Sequence, residues 1–493
     1  MTQVSFSDDE FIDYKYKTKP FKHQWDVFKT SRDEEYYALF MEQGTGKSKV
    51  IVDTITHLAR KGSIDSAIIV APKGVYRNWL KQEIPIHMPD DVLDSIYMEL
   101  WNPVETKKNI ERLTEFMKAN HNGLKVFIIN IEAFSTLKGL HYIQRFLNVH
   151  KSMVVIDESS TIKHKTARRT KNLLKIANMA KYRRILTGTP VTAGPIDIYT
   201  QISFLSDNIL QSSFYGFRNR YCVLRRRTIN MRTFDEIVDY QNLDELQDII
   251  KPYSYRVTKA ECLDLPDKVY IKREIEMTPK QQKVYDILKR KAYIELSEEK
   301  SVTAPLVITR LLRLQQIMCG FVKYDDGREE EIDKSNPRIE ELLQVLEETE
   351  GQVIIWSNYT RSIHDIENAI KKHMKNKTCA TYYGDTKSED RQEIVTQFQA
   401  GEIDYFIGQP RTGGYGLTLT NATTVIYYAN SYDLEVRLQS EDRPHRIGQT
   451  NKVTYIDIVC ERTVDEKIVK ALRKKQSIAN LVLGEETFTD WLK

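Results

Sequence analysis

Lys47 follows two glycines in EQGTGKS (42–48) and precedes a hydroxyl, Ser48, a combination suited to holding a polyphosphate. Glycines let backbone N–H groups curl around phosphate oxygens, and the N-terminus of a following helix favours negative charge. Lys47 would reach the β- and γ-phosphates, and the Ser48 hydroxyl would bind Mg²⁺. The full GxxxxGK[ST] pattern puts a glycine where this chain has Met41, so the string taken alone is also compatible with an ordinary turn. Farther along, VVIDESS (154–160) ends a buried-type strand on adjacent carboxylates, Asp157 and Glu158. At a strand's carboxyl end such side chains enter the crevice where open α/β sheets bind ligands. Asp157 is placed to hold Mg²⁺, usually through water, and Glu158 to activate an attacking water. An acidic turn would look the same in isolation, but a phosphate loop upstream of it is the order this chemistry requires. Near the end, QSEDRPHRIGQT (439–450) holds Arg443 and Arg446 around Pro444 and His445, a stiff pair of cations with no obvious surface role.

These residues need strands to carry them. Short runs rich in Val and Ile alternate with longer amphipathic segments, the pattern of βαβ units with buried parallel strands. Residues 68–71, 126–130, 153–156 and 184–187 are expected as strands of one sheet, and 353–357, 379–383, 404–408, 424–428 and 453–459 as strands of a second. The fold class is α/β, with two lobes and helical insertions. The expected division is an N-terminal lobe over 1–250 with a helical protrusion at about 195–250, a connector over 251–270 with LDLPDK (263–268) as its hinge, and a C-terminal lobe over 271–493 with a helical insertion at about 280–350.

Composition narrows the class. The 493 residues are 41% hydrophobic and 29% charged, ample for globular cores. No apolar run approaches the roughly 18 residues a bilayer span needs, and the opening MTQVSFSDDEFIDYKYK is acidic where a secretory signal is basic and then apolar. The protein is therefore expected to be intracellular, with no membrane partner. The five cysteines are widely spaced, which argues against a zinc module and a disulfide framework. A net charge of +4 says little about partners, but residues 161–190 carry nine Lys or Arg and no acid, while DDGREEEID (325–333) is acidic. The basic stretch is either a phosphate-facing patch or a solvated helix face.

Taken in order, the motifs resemble those of the Swi/Snf family of superfamily 2 helicases and double-stranded DNA translocases, from about residue 20 to about 480. PFKHQWDVF (20–28) is similar to the Q motif, EQGTGKS to motif I, APKGVYRNWLKQE (71–83) to motif Ia, IDESSTIKH (156–164) to motif II and LTGTP (186–190) to motif III. YRVTKAECLDLPDK (255–268) resembles the connector and LLRLQQIMCG (311–320) the helix that opens the second lobe. VIIWSNYT (353–360) is similar to motif IV, TYYGDTKSEDR (381–391) to motif IVa, RTGGYGLTLTNATTVIYY (411–428) to motif V and QSEDRPHRIGQT to motif VI. Two departures stand out: Ser159 and Ser160 replace the usual Ala-His after the acidic pair, which bears on how hydrolysis couples to movement, and GQPRTGG (408–414) replaces a Ser-Thr-rich lead into motif V.

The resemblance implies two RecA-like lobes with ATP and Mg²⁺ in the cleft between them. ATP would be bound by Gln24, Gly44, Thr45, Gly46, Lys47, Ser48, Gly416 and Gln439, and the metal by Ser48 and Asp157. Lys47, Glu158, Arg443 and Arg446 would carry catalysis. DNA, duplex or branched and without sequence specificity, would meet Lys73, Arg77, Asn358, Tyr359, Thr412, Gly413 and Gly414, each of which also has a plain reading as a surface or turn residue. The implied activity is ATP-driven translocation on double-stranded DNA with fork reversal or branch migration, by a compact phage or prokaryotic motor working as a monomer in the cytoplasm. A strand-separating DNA or RNA helicase shares these motifs. A scaffold with a dead ATPase site is argued against by intact Lys47, Asp157, Glu158 and both arginines, and a small-molecule kinase has no use for motifs IV to VI. Trp79 is expected as a core anchor and His445 as a packing residue. The run Arg225–Arg227 lies where the family carries its protrusion, either touching DNA or forming a charged loop tip.

Overall fold

The structure is a computed structural model that describes residues 14–483 except 103, 105, 230–231, 263–264, 299–303, 325, 414–416 and 447. Two compact units make up the described chain, the first built mainly on residues 14–223 and 237–262, the second mainly on Leu265–Gln476.

The strands of the first unit are β1 (Tyr36–Met41), β2 (Ser66–Ala71), β3 (Tyr97–Leu100), β4 (Lys125–Asn130), β5 (Ser152–Asp157) and β6 (Tyr182–Leu186). A two-stranded ribbon follows, β7 (Cys222–Ile229) with β8 (Arg232–Tyr240), and then β9 (Ser254–Val257). Seven strands form one parallel sheet in the order β3-β4-β2-β5-β6-β1-β9. Alternation of side chains explains why both faces are buried. Ala38, Phe40, Ile68, Val70, Val154 and Ile156 enter one core. Their neighbours Leu39, Met41, Ile69, Ala71, Met153 and Val155 enter the other.

In the second unit, β10 (Lys268–Ile275) is followed by a short antiparallel pair, β11 (Phe321–Lys323) and β12 (Glu329–Glu331). Then come β13 (Gln352–Trp356), β14 (Cys379–Tyr382), β15 (Tyr405–Gly408), β16 (Ala422–Tyr427) and β17 (Val453–Cys460). The main sheet is again parallel, ordered β10-β17-β16-β13-β15-β14. Val353 and Ile355 face one core and Ile354 and Trp356 the other.

All nine expected strands are present. Three others of the first sheet, β1, β3 and β9, and β10 of the second were not anticipated. β9 lies within the stretch assigned to the connector and β10 begins at its end, and each is an edge strand, paired with β1 and β17 respectively. The linking segment is thereby reduced to residues 258–267, of which 263 and 264 of LDLPDK lie outside the described residues. The protrusion at 195–250 is not purely helical: β7 and β8 stand between the helices Phe214–Tyr221 and Leu243–Ile250.

Candidate nucleotide site and nucleic-acid interface

The phosphate loop leaves the carboxyl end of β1 and enters the helix Lys47–Arg60 through Gly46, whose φ of 91° is left-handed. Any side chain at Gly46 would also collide with Gln24, because a Cβ would lie 2.1 Å from its Nε2. Gln24 is tied to this loop: its Nε2 donates to the Thr45 carbonyl at 3.0 Å and its Oε1 accepts from the Phe21 N–H at 3.0 Å. His23 donates through Nε2 to the same carbonyl at 2.7 Å, and burial lowers its pKa against the opposing pull of that hydrogen bond and of Asp26. The Thr45 hydroxyl donates to the Glu42 carbonyl at 2.7 Å. Lys47 Nζ lies back along the loop, donating to the carbonyls of Met41 at 2.8 Å and Glu42 at 3.1 Å.

The parallel sheet brings the loops after β1, β5 and β6 to one edge. Asp157 ends β5 and accepts a hydrogen bond from Trp79 Nε1 at 3.0 Å. Trp79 is 1% exposed, as a core anchor should be, and in addition its indole N–H orients the Asp157 carboxylate. Burial raises the Asp157 pKa against the lowering influence of Trp79, Lys47 and the Glu158 N–H. Glu158 has φ 51° and ψ 60°, a left-handed conformation that is strained for a residue with a side chain. Its Oε1 is 3.4 Å from Gln43 Nε2, which links the acidic pair to the phosphate loop. The loop after β6 closes in through Gly188, where a Cβ would approach the Gln43 nitrogen to 3.1 Å and Glu42 Cα to 3.2 Å. Only glycine allows that approach without displacing backbone.

Glu83 joins this group, although motif-level reading gave it no role. Burial raises its pKa, the nearby Asp157 carboxylate raises it further, and a hydrogen bond with Ser48 opposes them. Ser48, Asp157 and Glu83 thus offer hard oxygen donors close together. That set suits Mg²⁺, which takes one or two protein oxygens and completes its shell with phosphates and water.

The Ser159–Ser160 departure has a physical reading. Both residues are at most 1% exposed. Ser159 Oγ donates to Gln201 Oε1 at 2.7 Å, and Gln201 Nε2 donates to the Pro190 carbonyl at 2.7 Å. Lys163 Nζ adds a second tie to Thr192 Oγ1 at 2.7 Å. Two polar links therefore join the segment after the acidic pair to the segment after LTGTP. Gln201 carries no motif signal, so only the folded chain reveals it.

In the second unit the helix Leu434–Glu441 leads into the arginine turn. Arg443 is 2% exposed and its Nη1 donates to the Leu417 carbonyl at 3.2 Å. Arg446, half-buried, donates through Nη1 to the Leu417 carbonyl at 3.3 Å and to Thr418 Oγ1 at 2.8 Å. Desolvation lowers its pKa, with Asp442 opposing. His445 Nε2 donates to the Pro266 carbonyl at 2.8 Å, which fits packing rather than acid–base chemistry. Gln439, assigned to the nucleotide, is 3% exposed with its Nε2 3.3 Å from Glu435 Oε1.

Among the residues assigned to DNA, Lys73 and Arg77 are exposed beyond β2, with Arg77 Nε 3.5 Å from the Tyr76 hydroxyl. Asn358 and Thr412 follow the adjacent strands β13 and β15 and are brought together by Gln409, whose Nε2 donates to the Asn358 carbonyl at 3.4 Å and whose Oε1 accepts from Thr412 at 3.3 Å. The departure GQPRTGG thus contributes Gln409 as a link. Gly413 ends the short helix Pro410–Gly413, whereas Gly414 and Gly416 lie outside the described residues. Tyr359 is drawn inward: its hydroxyl donates to Gln315 Oε1 at 2.8 Å and its ring packs on Phe321. The basic stretch 161–190 is divided. Arg184 is fully buried and donates to the carbonyls of Ser31, Glu34 and Glu35, so it holds the fold together, while Lys171 and Lys181 are exposed. Arg225–Arg227 lie exposed on β7, where Arg227 pairs with Glu236 at 2.7 Å.

A phosphate loop, an acidic pair at the same sheet edge and a second parallel sheet carrying two arginines place the molecule among the P-loop α/β proteins. The SNF2-related domain family matches residues 27–321 and the helicase conserved C-terminal domain matches residues 337–448. The first match alone covers more than half of the chain, and the chain belongs to the SNF2-related family. It is 25% identical over 456 residues to an uncharacterized ATP-dependent helicase of Mycoplasma genitalium, covering 90% of this chain and 40% of that protein. It is 24% identical to the chromatin structure-remodeling complex subunit snf21 of Schizosaccharomyces pombe, covering 91% of this chain and 37% of that protein. The chain spans about two fifths of the length of these curated relatives. A solved SWI2/SNF2 ATPase core of Sulfolobus solfataricus, in complex with dsDNA, is 21% identical with a TM-score of 0.43, covering 94% of this chain and 93% of that one.

Proposed function

We propose that the chain is an ATP-dependent double-stranded DNA translocase that remodels branched DNA by fork reversal or branch migration. The observation that carries the reading is one sheet edge on which Lys47, Ser48, Asp157 and a backbone-strained Glu158 converge, with Asp157 oriented by Trp79. Family membership and the two parallel sheets support a two-lobe motor.

In this reading Gln24, Thr45 and the loop glycines seat the nucleotide, and Lys47 leaves its backbone carbonyls for the β- and γ-phosphates. Glu158 orients water and accepts its proton as oxygen attacks the γ-phosphorus and ADP leaves. Mg²⁺, when bound at Ser48 and Asp157, supplies charge neutralisation on the phosphates. Arg443 and Arg446 stabilise the transferring group. Such arginines contribute about 10³–10⁵ in rate in related phosphoryl transfers. Gly416 and Gln439 complete the proposed nucleotide contacts. Lys73, Arg77, Asn358, Tyr359, Thr412, Gly413 and Gly414 remain the proposed DNA contacts, tracking the backbone without base readout. The protein would act in the cytoplasm as a monomer. No helix among the described residues is long and apolar enough to cross a membrane.

ATP turnover measured with duplex, forked, four-way-junction and single-stranded DNA, and with RNA, tests the proposal when paired with displacement of a third strand from a triplex. Duplex-stimulated turnover and triplex displacement are expected. Stimulation by single strands alone, with unwinding of a fork, would favour a strand-separating helicase. Equal turnover without any nucleic acid would reject the motor.

A further inference from the structure

Arg443 is bracketed by two residues fastened to the same short piece of chain. On one side, Glu441 ends the helix Leu434–Glu441 and is 3% exposed. Its carboxylate accepts from the Tyr270 hydroxyl at 2.7 Å, from Lys268 Nζ at 3.2 Å and from Arg437 Nε at 2.8 Å. Its backbone carbonyl accepts from the Tyr455 hydroxyl at 2.7 Å. On the other side, His445 donates to the Pro266 carbonyl. Pro266, Lys268 and Tyr270 belong to the end of the connector and the start of β10.

No step of ATP hydrolysis uses these groups. Sheet pairing does not call for them either, since β10 is already held by β17 over its full length. Tyr270 is 50% exposed as a residue, yet its hydroxyl turns inward to the Glu441 carboxylate, and Lys268 Nζ also lies 3.6 Å from Asp442, the residue just before Arg443. Arg437, the third donor, is itself fixed by Asp457 at 2.5 Å and lies 3.5 Å over the Tyr427 ring. The Glu441 carboxylate is therefore anchored through Arg437 to Asp457 of β17 on one side and to the start of β10, where the connector ends, on the other.

We propose that Glu441 is a positioning residue that, through Lys268 and Tyr270 at the start of β10 and with His445 on Pro266, makes the end of the connector and the arginine turn one rigid piece. A displacement of the connector is then delivered to Arg443 and Arg446 instead of being absorbed between them. This rests on the reading of the chain as a duplex-stimulated ATPase. Its consequence is a defect in turnover rather than in binding, since displacing catalytic groups by about 1 Å from a distance can cost about 10²-fold in rate.

The test is the double variant Lys268→Met/Tyr270→Phe in the full chain, with duplex-stimulated ATP turnover followed to saturation. We expect kcat to fall about ten- to hundredfold while KM for ATP and Kd for a duplex oligonucleotide stay within about twofold. Lys268→Arg should restore most of the rate. Should the double variant fold poorly, Tyr270→Phe alone, which removes one hydroxyl, should still lower kcat by about threefold or more. Wild-type kcat in a folded variant would overturn the inference, as would a loss confined to thermal stability with turnover per folded molecule unchanged. A wild-type protein without duplex stimulation would instead reject the motor reading itself.

Discussion

Two carboxylates, Asp157 in the first unit and Glu441 in the second, are handled in opposite ways. Asp157 is raised by burial and receives only partial relief from a neutral indole N–H, a backbone N–H and the more distant Lys47. Burial would raise Glu441 as well, but Lys268 and Arg437 outweigh it and hold it below its ordinary value. On the proposed reading, a carboxylate left short of positive charge would receive a cation that arrives with a ligand, and one already neutralised by fixed cations would stay where it is and hold the arginine turn.

The contrast can be broken most severely at the arginine turn. Arg446→Ala should cost about 10³-fold or more in duplex-stimulated turnover, about 4 kcal/mol at 1.36 kcal/mol per decade, as read from steady-state ATPase rates. An exposed salt bridge would account for no more than about 1 kcal/mol of that.

Glu441→Gln comes next. Removing one partner of a buried ion pair costs about 3–5 kcal/mol, less where a hydrogen-bond acceptor survives. Because the folded-state pKa of Glu441 is depressed, its stabilisation is complete above the ordinary value of 4.5 and is lost as the pH falls through the folded-state value. Urea denaturation should therefore show the variant less stable than wild type at pH 7, with the gap narrowing as the pH falls below 4.5. A gap that does not vary with pH would show that Glu441 is not held as an anion.

Trp79→Phe keeps an aromatic side chain, though a smaller one, and removes the donor to Asp157. Loss of a hydrogen bond to a charged group costs about 1.5–3 kcal/mol, so turnover should fall about 10- to 100-fold and require more Mg²⁺. Ser159→Ala leaves Gln201 Oε1 without its donor and should cost about 1–2 kcal/mol of stability by denaturant titration. Ser159→Ala/Gln201→Leu should be less stable still, because it also takes the amide donor from the buried Pro190 carbonyl. The smallest effect belongs to Arg77→Ala, which should weaken duplex binding about equally across sequences and reduce the salt slope by about 1 in a binding titration.

The sequence disclosed the parts whose chemistry is local. EQGTGKS, the Asp-Glu pair after β5 and the nine apolar strands are each contained in a few consecutive residues, and each is present where the pattern puts it. Contacts between elements were hidden. Trp79 and Asp157 are 78 residues apart, Ser159 and Gln201 42, and Lys268 and Glu441 173. β9 and β10 escaped notice because edge strands bury less: KVYIKREI leaves Val269, Tyr270 and Ile271 all more than a third exposed and shows none of the continuous apolar character of β2. The basic count over 161–190 left its two readings open for a related reason, since charge on a helix face, as at Lys171, and charge buried against carbonyls, as at Arg184, look alike in one dimension.

The proposed function divides the work: the first unit would bind ATP and the arginine turn of the second would act on its hydrolysis. Titration of a fluorescent ATP analogue alongside single-turnover hydrolysis in Arg446→Ala, with Lys47→Ala beside it, tests that division directly. Nucleotide affinity is expected within about threefold of wild type in Arg446→Ala together with a loss of about 10³-fold in the hydrolysis step, whereas Lys47→Ala should weaken binding as well. Near-normal hydrolysis in Arg446→Ala, or a loss of affinity as large as its loss of rate, would contradict it.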